Sequence, residues 1–91
     1  MAYLYGEDKT ALLRRLRRIE GQVRGVARMV EDDKYCVEIL DQITAITSGL
    51  EKVGLHLLSD HIKGCVRQSV KAGEDEKVTE LVGAVERFLK A

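Results

Sequence analysis

The chain has 91 residues, 45% hydrophobic and 33% charged, with 15 cationic side chains balancing 15 acidic ones. That length supports one domain, residues 1–91, and excludes two independent cores. The composition excludes a disordered chain, and no apolar run approaches the roughly 18 residues of a membrane span. The N-terminal MAYLYGEDKT lacks the apolar core of a signal peptide, so a cytoplasmic protein with no membrane association is expected. Two cysteines in a reducing compartment read as ligands or reactive thiols rather than a disulfide.

There is no proline, and apolar residues keep helical spacing almost throughout. The first helix is expected near residues 7–31, where Leu12, Leu16, Ile19, Val23, Val26 and Val30 form its stripe. The neutral total hides an asymmetry. From Lys9 to Arg28 there are seven cations and one acid, Glu20, a charge of +6, so the remainder carries −6. Arg14, Arg17, Arg18, Arg24 and Arg28 fall opposite the stripe, and Arg15 lies on its flank. A solvated face usually interleaves acids at i, i+4, and here only Glu20 intervenes. Gly21 and Gly25 sit amid the arginines, each costing about 1 kcal/mol against alanine. Their bareness lets a phosphate backbone or a second helix come close. The row predicts a nucleic-acid surface, although no helix-turn-helix, zinc finger or aromatic platform accompanies it.

Glu31, Asp32 and Asp33 supply a turn before the second helix, expected over 34–71. Its stripe runs Cys36, Ile39, Ile43, Ile46, Leu50, Val53 and Leu57, then through His61 to Cys65. Gly73 and the acids Glu74, Asp75 and Glu76 mark the next break. A third helix follows over 75–90, with Val78, Leu81, Val82, Val85, Phe88 and Leu89 as its stripe. The fold class is therefore all-α. A single hairpin leaves the long second stripe partly uncovered, so two copies are expected to pair as an antiparallel four-helix bundle.

On uniform α winding, Cys36, His61 and Cys65 lie within about 20° of one line. His61 and Cys65 are i, i+4 neighbours, while Cys36 is roughly 37 Å from His61. A metal site therefore needs Cys36 from one chain and His61 with Cys65 from an antiparallel partner, which generates two symmetric sites. The bland reading is that all three are ordinary core residues; a buried imidazole, however, needs hydrogen-bond partners that an apolar stripe does not offer. Two thiolates and an imidazole suit reduced copper with three ligands, or zinc with a fourth. His56 lies about 200° round the helix from Cys36 and is read as a surface or packing histidine. No orienting group or cleft supports Cys–His catalysis, so the chain is not read as an enzyme.

The stretch RLRRIEGQVRGVARMVEDDKYC, from Arg15 to Cys36, together with HIKGC at 61–65, resembles the copper-sensing CsoR family of bacterial repressors. The similarity covers nearly the whole chain. It implies a helical dimer assembling into a disc-like tetramer, with the metal-free form on operator DNA. Cu(I) at intersubunit sites of Cys36, His61 and Cys65 then causes release. It further implies outer partners of the bound histidine at Tyr35 and, in the third helix, Glu80. DNA contacts are implied at Arg15 and its neighbours and at Lys52. Related nickel and cobalt sensors carry extra histidines, one near the N-terminus, and residues 1–8 here have none. Formaldehyde sensors place proline after Met1, where this chain has Ala2; persulfide sensors lack the histidine, and His61 is present. A persulfide or thiol-reactive repressor joining Cys36 to Cys65 is the nearest rival. A copper-buffering bundle is a further one, although two thiols are few for storage and the arginines would have no purpose.

Overall fold

The computed structural model describes residues 8–90, with side chains from Lys9 onward. Helix α1 spans Asp8–Glu31 and α2 spans Cys36–His61; a π-helical turn, Ile62–Val66, leads into the short α3, Arg67–Lys71, and α4 spans Glu76–Lys90. No strand occurs among the described residues, and the fold is all-α with three helical segments separated by two turns. The expected start of the first helix at residue 7 lies outside the described residues.

Both turns close by the same hydrogen-bond logic. After α1, Lys34 N–H donates to the Met29 carbonyl and Asp33 N–H to that of Val30, at 3.0 and 3.1 Å. Asp33 takes a left-handed φ of 53°, a conformation aspartate tolerates better than most residues. After α3, Glu74 N–H donates to the Ser69 carbonyl and Gly73 N–H to that of Val70, with Gly73 at φ 77°. These are paired 6→1 and 5→2 bonds that satisfy carbonyls left over at a helix end. Tyr35 and Asp75 then open the following helices, their carbonyls accepting from Ile39 and Thr79 N–H.

The described residues fall into two compact units, one ending at Leu57 and the other beginning at Leu58. In the first, α1 packs on α2 through Leu12, Ile19, Ile46 and Val53, with Val26 partly buried against them. Burying each such side chain contributes about 1.5–3 kcal/mol. The helices approach closely at Gly49, where an added Cβ would lie 3.2 Å from Ile19 Cδ1.

The first unit splits each apolar stripe into two rows of seven-residue spacing. Leu12, Ile19 and Val26 on α1, and Ile39, Ile46 and Val53 on α2, are buried or half-buried. The alternate rows are not. Leu16, Val23 and Val30 are 38, 51 and 59% exposed, and Ile43, Leu50 and Leu57 are 43, 46 and 36% exposed. Cys36, seven residues before Ile43, belongs to this second row and is itself exposed. In the second unit, α4 packs on the π turn and on α3, where Val66 and Ser69 are buried.

Candidate metal centre and nucleic-acid interface

The helix expected over 34–71 is helical from Cys36 onward but is not α throughout. Arg67 N–H reaches the Ile62 carbonyl, five residues back, and the backbone stays right-handed through His61, at φ −63° and ψ −43°. Turns of this kind occur mostly as single insertions in α-helices, frequently at functional sites. Gly64, within the turn, removes one side chain from the widened winding; an added Cβ there would meet nothing within 4 Å.

His61 is the last residue of α2, and Cys65 lies inside the π turn. The turn keeps the two within one winding of each other, and both are half-buried. Cys36 is the first residue of α2, so a whole 26-residue helix separates it from His61. Among the described residues, no three His, Cys, Asp or Glu side chains gather where they could hold one ion. Of the three sequence-predicted ligands, His61 and Cys65 thus fall in neighbouring windings of one unit and Cys36 in the other unit.

Tyr35 is 69% exposed just ahead of Cys36. Glu80, on α4, is exposed and lies 4.0 Å from Lys77 Nζ, one turn away. His56 is exposed, as a surface histidine would be.

On the first unit, Arg14, Arg15, Arg17, Arg18 and Arg24 of α1 and Lys52 of α2 are all exposed. Arg24 pairs with Glu20 at 3.2 Å, with both side chains open to solvent, an arrangement that contributes little stability. Among the described residues, no contact requires the glycines in this face. A Cβ at Gly25 would touch nothing within 4 Å, and one at Gly21 would make only ordinary contact with Arg24.

An all-helical chain with an imidazole ending α2, a thiol in the π turn that follows and an arginine face on α1 fits the class of metal-responsive regulators. Comparison with known proteins agrees: residues 8–87 match the metal-sensitive transcriptional repressors, and the chain belongs to that family. It is 45% identical over 93 residues to the copper-sensing transcriptional repressor RicR of Mycobacterium tuberculosis, covering 99% of this chain and 97% of that one. The Cu(I) crystal structure of the copper-sensing repressor CsoR from Geobacillus thermodenitrificans superposes with a TM-score of 0.85. It is 44% identical, and the match covers 91% of this chain and 88% of that one. The nickel-responsive regulator InrS also matches, with a TM-score of 0.77 and 36% identity over 90% of this chain and 93% of its own. Regulators described by different metals share the fold, so the donor atoms must decide between them.

Sequence reasoning missed the π turn. Gly64 is its only trace in the residues, and a helical glycine does not by itself specify π winding. The division of each stripe into a covered and an uncovered row was also missed, because both rows obey one periodicity.

Proposed function

We propose that the protein is a Cu(I)-responsive transcriptional repressor, non-enzymatic, acting through a single functional domain of residues 1–91. Cys36 of one protomer and His61 with Cys65 of its partner hold the metal. Exposed arginines of α1 and Lys52 hold operator DNA when metal is absent.

One observation carries this reading. Cys36 lies on the uncovered apolar row with Ile43 and Leu50, so the surface that a second copy must cover includes a thiol. An antiparallel partner that buries this row brings its own His61 and Cys65 toward that thiol. Exposed apolar patches of this kind mark interaction surfaces, and an isologous pair supplies two equivalent sites.

The donor set fits the metal. Two thiolates and one imidazole form a soft shell that suits Cu(I), which is satisfied by three ligands. Bound there, Cu(I) supplies a link between protomers that neither protomer makes alone. The histidine's second ring nitrogen then donates to an outer acceptor, for which Tyr35 and Glu80 are assigned. Glu80 must leave Lys77 to serve, and the pair, long at 4.0 Å with the carboxylate open to solvent, offers little resistance. Copper thus acts on DNA only through the difference in its affinity for the two arrangements of the protein. Two hairpins make the dimer, and the disc-like tetramer groups the α1 faces into one basic surface.

The test is operator binding by fluorescence anisotropy, with and without saturating Cu(I). Tight metal-free binding that copper abolishes supports the proposal, and copper-independent binding contradicts it.

A further inference from the structure

The segment that bears His61 and Cys65 also carries an unbalanced charge. Between Asp60 and Glu74 there is no acid, while Lys63, Arg67 and Lys71 recur every four residues, a charge of +3. Outside this segment and the Lys9–Arg28 stretch the chain holds five cations and 14 acids, a charge of −9. Acids are therefore plentiful elsewhere and absent here.

Residues four apart on a helical path share one side, and all three cations are exposed. Val66 and Ser69, both buried, mark the side that packs within this unit. Taken at uniform α winding, which the π turn loosens, the three cations fall on the far side from His61, about 200° to 280° round. Among the described residues no carboxylate pairs with any of them. Like charges at this spacing repel, so a merely solvated face gains nothing from the pattern. Gly64 is exposed in the same stretch, and a Cβ there would meet nothing within 4 Å. Exposed cations flanking a glycine that no contact among the described residues requires repeat the pattern of α1 around Gly25.

We propose that Lys63, Arg67 and Lys71 form a second phosphate-binding stripe, which holds the sugar-phosphate backbone of the operator duplex in addition to the α1 arginines. The inference rests on the DNA-binding reading above and extends its footprint to the ligand-bearing segment. Duplex DNA presents one negative charge about every 1.7 Å of its axis, a partner matched to such a row. One short segment then carries metal ligands on one side and DNA contacts on the other, so any change in its winding reaches both.

The experiment compares the metal-free full chain with the triple variant K63Q/R67Q/K71Q, the charge-keeping K63R/R67K/K71R and the control R15A. Operator binding is followed by anisotropy across a salt series, with sedimentation to report assembly and circular dichroism to report folding. The triple glutamine variant should bind both operator and an unrelated duplex more weakly. Its log–log salt slope should shrink by about one for each phosphate no longer neutralised. The charge-keeping variant should bind as the parent does. If the triple variant does not fold, K63Q, R67Q and K71Q singly should each reduce the slope by about one. A parental affinity and slope, with R15A weakened, would overturn the stripe and leave the α1 interface standing. Dissociation of the assembly would also overturn it, by showing that the cations face acids of a second copy. Failure of the parent chain to bind DNA would overturn both readings together.

Discussion

Two glycines in the first unit have opposite surroundings, and alanine at each tests what the bare positions are for. At Gly49 a Cβ would crowd Ile19 at 3.2 Å, so the helix-propensity gain of about 1 kcal/mol is offset by overpacking of about 1–3 kcal/mol. At Gly25 nothing opposes the gain. Thermal melts should therefore show Gly25→Ala raising Tm by a few degrees and Gly49→Ala failing to do so. If Gly25 is bare to admit a phosphate, the stabilised variant should nevertheless bind operator more weakly. Unchanged DNA binding would assign that glycine to some other approach. The arginines divide differently. Arg15→Ala or Arg18→Ala should weaken the operator complex and reduce its salt slope by about one per phosphate, with Cu(I) affinity nearly unchanged. Unaltered operator affinity in both would remove α1 from the interface. Holding metal and responding to it should also separate by residue. Cys36→Ala loses a thiolate and should lose copper affinity. Glu80→Ala should retain most copper affinity but lose much of the copper-driven release, with metal-free DNA binding intact in both variants. Full release in the Glu80 variant would show that this carboxylate is not part of the switch.

At the scale of elements, the turns were legible in the residues. Asp33 and Gly73 stand where the chain must turn left-handed, and both φ values are positive. The long stripe was legible too, because helical periodicity alone generates it. Which half of that stripe the hairpin covers was not legible, since Ile46 and Leu50 satisfy the same spacing and only the packing separates them. The π turn was equally silent. Its cause is a hydrogen-bond register, and the chain from Asp60 to Arg67 would read as ordinary α-helix around one glycine. Cys36, His61 and Cys65 could be singled out as candidate ligands from spacing, but the place of Cys36 on the uncovered row and the π winding around Cys65 needed the structure. That placement gives an element-scale prediction. Leu50 is 46% exposed in the single chain, where a lysine would change stability by no more than about 0.5 kcal/mol. If the uncovered row is a subunit seam, Leu50→Lys should instead sediment as a smaller species and lose tight Cu(I) binding. A Leu50→Lys variant with parental assembly would place the seam elsewhere.

For the whole molecule, the proposed pairing over the uncovered row has one consequence: stability and sensing would both depend on a second copy. No described helix is long and apolar enough to cross a membrane. A chain stabilised by self-association melts at a temperature that rises with its concentration. Cu(I), which binds the assembled form, should raise it further. The central claim, that each metal site is shared between protomers, has a direct test by complementation. Cys36→Ala lacks one ligand, and a chain carrying both His61→Ala and Cys65→Ala lacks the other two, so neither should bind Cu(I) tightly alone. Unfolded together and refolded as a mixture, some dimers contain one of each. Those dimers hold one complete site, built from the Cys36 of one chain and the His61 and Cys65 of the other. The account predicts that the mixture regains tight Cu(I) binding, with two sulfurs and one nitrogen around copper by X-ray absorption. A mixture as inert as its components would contradict a site shared across the dimer.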